Sequence, residues 1–374
     1  MIDTSKFYKS LRDKGVDFFT GVPDSLLKDF CAYITDYVSE DKHILAANEG
    51  NAIGLAVGNY LATGKLPFVY MQNSGFGNAV NPLLSIADED VYSIPLLLMI
   101  GWRGEPGFKD EPQHIKQGKV SESLLEAMGI PYQILDANSD IEKVLSKATS
   151  IAMKENKPYA LLVRKNTFSK YKLQKEIQTN FSLDREAAIK LIIDQLEDDD
   201  IVISTTGKTS REVFEYREEL NQTHEKDFLT VGAMGHTSSI AMGVALENKD
   251  RNVYCLDGDG SAIMQMGSFA INGTIRSISN FKHIILNNGA HDSVGGQPTV
   301  AFNIDMPKIA SSCGYSFVNS ASDETDIKEK LEALKKHKGI AFLELKVNKG
   351  ARENLGRPTV SPKDNKKAFQ KFLK

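Results

Sequence analysis

The 374-residue sequence predicts two α/β domains, each a mainly parallel sheet covered by helices on both faces. Three observations carry that expectation. Short, fully apolar runs alternate with amphipathic stretches from end to end, and strands without a polar face belong to sheets covered on both sides. The length exceeds one ordinary domain and suits two of about 180 residues. Between the halves, "RKNTFSKYKLQKEIQTNFSLDRE" (Arg164–Glu186) is rich in Lys, Gln, Ser and Thr and holds no apolar block, as a linker does.

In chain order, the first half offers the strands "DFFTG" (Asp17–Gly21), "HILAA" (His43–Ala47), "LPFVYMQ" (Leu66–Gln72), "IPLLLMIG" (Ile94–Gly101), "PYQIL" (Pro131–Leu135) and "YALLVR" (Tyr159–Arg164). Helices are predicted between them over Asp24–Tyr37, Glu49–Ala62 and Lys116–Met128. The second half offers "DIVIST" (Asp200–Thr205), "DFLTVG" (Asp227–Gly232), "NVYCLD" (Asn252–Asp257), "HIILNN" (His283–Asn288) and "AFLELKV" (Ala341–Val347), again with helices between. The domains are expected at 1–168 and 184–374, joined by a linker at 169–183. The basic, amphipathic "SPKDNKKAFQKFLK" (Ser361–Lys374) is expected to form a solvated end helix. No short-period repeat or low-complexity segment is visible.

Bulk properties exclude several classes. A formal net charge of −4 argues against nucleic acid or an anionic membrane as the main partner, although local Lys and Arg residues could still hold small anions. The most apolar run, "IPLLLMIGW" (Ile94–Trp102), is too short to span a bilayer. The N-terminal "MIDTSKFYKSLRDKG" lacks the apolar core of a signal peptide. Three scattered cysteines, Cys31, Cys255 and Cys313, form no C-x-x-C pair and read as reduced thiols of a cytoplasmic protein.

The segment "GDGSAIMQMGSFAINGTIRSISNFKHIILNN" (Gly258–Asn288) holds the most specific chemistry. In an open parallel sheet, ligands bind beyond the carboxyl ends of strands, so Asp259 after "NVYCL" and Asn288 after "HIIL" would project into one crevice if those strands are neighbours. A carboxylate, a carboxamide and a backbone carbonyl form a hard oxygen set suited to Mg²⁺. Gly258 and Gly260 let the backbone approach a phosphate, and Ser261 is expected to begin a helix. Taken alone, the same residues would serve a tight turn and an unrelated asparagine. In "AANEGNAIGLAVGNYLATGK" (Ala46–Lys65), Glu49 stands at a predicted helix start, where an acid also simply complements the helix dipole. The glycines of "QNSGFGNAVNP" (Gln72–Pro82) complete no G-x-G-x-x-G, so Ser74 and Gly75 are read as a cofactor-facing or helix-starting turn and not as a dinucleotide fingerprint.

Together these segments resemble the thiamin diphosphate-dependent 2-oxo acid decarboxylases, whose diphosphate motif runs from G-D-G to N-N. The resemblance implies that Asp259, Asn288 and the carbonyl of Ala290 hold Mg²⁺, with Asn287 as the competing match, and that Glu49 activates the cofactor's aminopyrimidine. In "TVGAMGHTSSIAMGVAL" (Thr230–Leu246), Met234 matches the apolar wedge that bends the cofactor, although packing is the usual task of a methionine. Family members also place the glutamate domain of one chain against the diphosphate domain of another, which implies a homodimer or larger assembly with active sites between subunits.

The linker leaves no room for the middle domain of many family members. "TGVPDSLLK", "MQNSGFGNAVNPL", "GWRGEPGFKDEPQH", "STTGKTSRE", "VGAMGHTSS" and "NNGAHDSVGGQPT" then narrow the resemblance to enzymes acting on a phosphonate-bearing 2-oxo acid. The implied reaction converts 3-phosphonopyruvate to phosphonoacetaldehyde and CO₂ within phosphonate biosynthesis. Such a reaction needs a proton donor, for which Asp24, His114 and His291 are candidates. It also needs cations for the second anion: Arg103 with Lys109, or Lys208 with Arg211 at a predicted helix N-terminus. Sulfopyruvate decarboxylation is the nearest alternative, disfavoured because its two domains usually lie on separate chains. A carboligase and a non-catalytic binding protein on the same fold are more distant ones.

Overall fold

A computed structural model describes residues 1–374, which divide into two compact units: Met1–Glu176 with Ser293–Gln297, and Ile177–Asp292 with Pro298–Lys374. The first unit contains six strands: β1 (Phe19–Gly21), β2 (His43–Leu45), β3 (Phe68–Gln72), β4 (Leu97–Gly101), β5 (Tyr132–Leu135) and β6 (Tyr159–Val163). They pair in parallel in the order β2-β1-β3-β4-β6-β5. Side chains alternate across a strand, and β3 uses both faces for core. Phe68 and Tyr70 join Phe7, Phe19 and Phe30 on one side. Val69 and Met71 join Ala52, Ile53 and Leu98 on the other. This double burial is why the strands read as unbroken apolar runs.

The second unit contains β7 (Ile201–Ser204), β8 (Asp227–Leu229), β9 (Val253–Gly258), β10 (Phe281–Asn287), β11 (Phe317–Ala321) and β12 (Ala341–Lys346), all parallel, in the order β11-β12-β10-β9-β7-β8. Read from the β8 edge, each strand occupies the place of its counterpart in the first sheet. Val202, Tyr254 and Ile284 face one core, while Ile203, Cys255 and Ile285 face the other.

Several boundaries differ from the sequence expectation. The helix expected from Asp24 begins at Lys28, because the Asp24 carboxylate accepts the Leu26 N–H at 2.9 Å and holds residues 24–27 in a turn. The helix expected from Lys116 begins at Pro112, since proline at the first helical position loses no hydrogen bond. The short helix after β9 begins at Asp259, not Ser261. Strand β11, "FVNSA", was not among the expected strands: it is a half-buried edge strand, and Asn319 and Ser320 break its apolar run.

The terminal helix Pro362–Leu373 corrects the expectation of a solvated end. It covers the β8 edge of the sheet, burying Phe369 against Phe228 at a ring separation of 5.5 Å. Asn365 accepts the Leu229 N–H and donates to the Asp227 carbonyl, satisfying edge groups that would otherwise face outward. Cys31 and Cys255 lie in the cores and Cys313 is partly exposed; none is in a disulfide. No helix is long and apolar enough to cross a membrane.

Candidate active site

In the first unit the sequence-derived residues follow the carboxyl ends of adjacent strands. Asp24 follows β1, Glu49 follows β2, Ser74 and Gly75 follow β3, and Arg103 follows β4. The strand order reverses direction at β1 and β3, the position where open parallel sheets form a binding crevice.

Glu49 is the first residue of helix Glu49–Thr63, capped by Asn48, whose side chain accepts the Asn51 N–H. Its carboxylate is buried and accepts a 2.7 Å hydrogen bond from Asn78 Nδ2. A methyl group at Gly75 would lie 2.5–2.8 Å from that carboxylate, so only glycine leaves it in place. Ser74 accepts from Gln72 Nε2 at 2.6 Å. Asn78, which orients Glu49, was not singled out in the sequence, because its only signal is a contact made after folding.

Asp24 is fully buried. Its Oδ2 is held by Leu26 N–H, while Oδ1 has no hydrogen-bond partner. Burial pushes its pKa up to about 6, against the pull of the Leu26 N–H and the nearby Arg103 charge. A side chain at Gly101 would collide with this carboxylate.

Arg103 does not present a free guanidinium. Its Nε and Nη2 donate to both oxygens of Asp110 at 2.8 and 2.5 Å, and Nη1 donates to Ser25 Oγ at 2.7 Å. Asp110 also accepts the N–H groups of Gly104 and Glu111. Asn73, absent from the expected site, clasps the same loop through both the N–H and the carbonyl of Arg103. His114 is buried beside this pair; burial, then the Arg103 charge, holds its pKa below the usual histidine value. Lys109 is exposed on the loop and joins none of these contacts.

In the second unit Lys208 follows β7, Met234 follows β8, Asp259 follows β9 and Asn288 follows β10. β9 and β10 are direct neighbours, which brings Asp259 and Asn288 together. Asp259 is buried and accepts hydrogen bonds from Thr299 Oγ1 and from backbone N–H groups, that of Asn288 included. Burial still pushes its pKa up to about 7, because no cation of the chain is paired with it. Asn287 and Asn288 diverge in role. Asn287 donates to Glu344 Oε1 at 2.7 Å and accepts the Gly289 N–H, so it is committed to the core. Asn288 accepts only the Ala290 N–H.

The Ala290 carbonyl accepts the Asp292 N–H at 2.9 Å. The His291 ring lies 3.0 Å from the space a Gly260 side chain would fill, and burial lowers its pKa to about 4. Ser261 accepts from Thr205 Oγ1 and the Gly235 N–H, tying the Met234 turn to the short helix. That turn runs through left-handed backbone at Gly232, Ala233 and Gly235, and half-buries Met234. Lys208 begins helix Lys208–Glu219 and pairs with Asp292 at 3.2 Å. Arg211 is half-buried, and burial alone lowers its pKa.

A second group of potential ligands, Cys255, Asp257 and His283, is buried with donor atoms within 4.8 Å of one another. Bonds of about 2.0–2.3 Å in a tetrahedral zinc site would place ligands only about 3.3–3.8 Å apart. Within the group His283 Nε2 lies 3.9 Å from Asp257 Oδ2, slightly beyond that spacing.

The thiamine pyrophosphate enzyme N-terminal TPP binding domain matches residues 4–124, and the C-terminal TPP binding domain of the same enzymes matches residues 205–345. The phosphonopyruvate decarboxylase of Streptomyces viridochromogenes is 30% identical over 100% of this chain and 95% of its own length. That of Streptomyces hygroscopicus is 31% identical over 100% and 94%. The chain belongs to the phosphonopyruvate decarboxylase family of thiamin diphosphate enzymes. It is a thiamin diphosphate-dependent decarboxylase, a carbon–carbon lyase.

The sulfopyruvate decarboxylase of Methanosarcina acetivorans is 26% identical over 98% of this decarboxylase and 97% of its own length. Both halves therefore lie on one chain in that relative too, and a single chain does not separate the two substrates as the sequence argument assumed.

The residues present fit the cofactor. Asp259 is a buried carboxylate without a cation, beside a carboxamide whose oxygen has one backbone donor. That is the donor chemistry of a hard divalent ion carrying phosphate oxygens. Glu49 is a buried carboxylate kept clear by a glycine that a Cβ would fill.

Proposed function

We propose that this decarboxylase converts 3-phosphonopyruvate to phosphonoacetaldehyde and CO₂ within phosphonate synthesis. The reading is carried by full-length similarity to two phosphonopyruvate decarboxylases, at higher identity than the full-length sulfopyruvate decarboxylase of Methanosarcina acetivorans. Bound thiamin diphosphate supplies an electron sink for the carbon that loses CO₂. Asp259, Asn288 and the Ala290 carbonyl would hold Mg²⁺ and through it the diphosphate, with Gly258, Gly260 and Ser261 lining the approach and Met234 placed to support the ring system.

Glu49, oriented by Asn78 and shielded from water, is the carboxylate that would hold a proton for the aminopyrimidine of the bound cofactor. Asp24 holds the proton destined for the product carbon: its unpartnered Oδ1 and its pKa near neutrality suit a group that must give and regain a proton. His114, packed beside Arg103, orients this acid end of the site; His291 flanks the metal turn. Lys208 and Arg211 attract the substrate's second anion, supported by the position of both on the first turn of Lys208–Glu219, where backbone N–H groups add to their charge. Arg103 contributes through the loop it holds with Asp110, since its fork is already filled.

The working unit is a homodimer or larger. Helix Glu49–Thr63 leaves Leu55 and Leu61 exposed, with open space beside Gly54 and Gly58, an apolar face suited to a second copy.

Phosphorus NMR of the protein with thiamin diphosphate, Mg²⁺ and 3-phosphonopyruvate tests the substrate. Cofactor-dependent phosphonoacetaldehyde, with slow CO₂ release from sulfopyruvate and pyruvate, is expected. Faster turnover of sulfopyruvate would overturn the substrate assignment. Glu49→Gln is expected to retain cofactor binding and lose about 10²–10⁴-fold in turnover; undiminished turnover would remove the role given to Glu49.

A further inference from the structure

Behind the metal-binding turn lies an ion-pair network centred on Arg185, a residue given no part in the reaction itself. Arg185 begins helix Arg185–Asp194 and is almost fully buried. Its Nε and Nη2 donate to the two oxygens of Glu212 at 2.8 and 2.7 Å. Nη1 donates to Asp292 Oδ2 at 2.9 Å, and Nη2 reaches the Gly350 carbonyl at 3.3 Å. Lys208 meets the same Asp292 oxygen at 3.2 Å. Asp292 is in turn joined by its own N–H to the carbonyl of Ala290. The guanidinium fork is therefore divided between a buried acid on helix Lys208–Glu219 and the acid that closes the Asn288–Asp292 turn.

We propose that Arg185 and Asp292 are positioning residues that set the metal turn before Mg²⁺ and diphosphate arrive. The inference rests on the assignment of Asp259, Asn288 and Ala290 as metal ligands. Glu212 holds the guanidinium plane by a bidentate contact that lysine cannot reproduce. With Asp292 anchored, the chain from Asn288 to Asp292 has little freedom left to lose on binding. Without it, the ligating carbonyl and carboxamide must be ordered by the metal itself, at the expense of affinity. Lys208 shares the anchor, so the first turn of Lys208–Glu219 and the metal turn are set by one carboxylate.

Two measurements test this. In the cofactor-free protein, hydrogen–deuterium exchange over 288–292 is expected to accelerate in Asp292→Ala, while exchange in β9 and β10 is unchanged. Calorimetric titration of Mg²⁺ at fixed thiamin diphosphate is expected to show a 10–100-fold rise in Kd for Asp292→Ala and Arg185→Lys. Asp292→Asn, which keeps an oxygen for Arg185 Nη1, is expected to recover part of the affinity. Variants that fold and melt lower but keep wild-type Mg²⁺ affinity and exchange over 288–292 would reduce the network to a stability element and overturn the inference. Asp259→Ala serves as the reference: if it leaves Mg²⁺ affinity unchanged, the ligand assignment fails first, and the inference with it.

Discussion

At the scale of single residues, chemistry is set by what a side chain is denied as much as by what it touches. Asp24 is denied water and a partner for Oδ1, and its pKa rises to about 6. The unfolded chain ionises this carboxyl near 3.9. The fold therefore binds the proton more tightly than the unfolded chain does, and Asp24 costs no stability below about pH 4. The penalty grows between pH 4 and 6 and levels above pH 6 at about 3 kcal/mol. Asp24→Asn should match the wild type in thermal stability at pH 4 and exceed it at pH 7, with turnover lost. A stability difference independent of pH would show that the carboxyl ionises freely in the fold.

Residue types and order made Asp24, Glu49, Asp259 and Asn288 visible in the sequence, because a motif constrains both. Asn73, Asn78 and Thr299 stayed invisible. Each works through hydrogen bonds to residues distant in the chain, and nothing local marks an asparagine or threonine as so engaged. The choice between Asn287 and Asn288 likewise needed Glu344, which claims Asn287 from the neighbouring strand β12.

At the scale of elements, the apolar strands were legible because both faces of each are covered, and the exceptions have the opposite cause. β11 lies on an edge with half its surface open, so its sequence mixes polar and apolar residues. The terminal helix is a milder case: five lysines in "SPKDNKKAFQKFLK" suggest solvent, while one face carries the apolar contact. Phe369 and Asn365 make the helix part of the fold. Phe369→Ala should cost about 3 kcal/mol, near the low end for a buried phenylalanine because a terminal helix can relax. In the second unit this corresponds to a fall in Tm of roughly 6–12 °C by calorimetry. A shift below about 2 °C would place the helix back in solvent.

At the scale of the molecule, the cofactor is a thermodynamic partner of the fold. On the proposed function, Mg²⁺ and thiamin diphosphate bind the native chain and not the unfolded one, so at a hundredfold excess over Kd they should add about 2.7 kcal/mol. Over the 374 residues of the chain a rise in Tm of roughly 3–4 °C is expected from both together, most of it lost on adding EDTA when the diphosphate is held through the metal as proposed. Retention of the full shift in EDTA would contradict that linkage.

By itself the sequence determined the class of fold, the approximate place of its strands and the chemistry of the diphosphate motif. These depend on local composition and on residues close along the chain. Only the tertiary structure decided that both sheets follow one strand order, that β9 and β10 are neighbours, and that Arg103 is already bound by Asp110 while Lys208 pairs with Asp292. An apolar strand satisfies its hydrogen bonds and its burial beside many partners, so its sequence does not name its neighbour. A charged side chain likewise does not reveal whether its counter-ion will be a substrate or another residue of the same chain until packing has brought the two together.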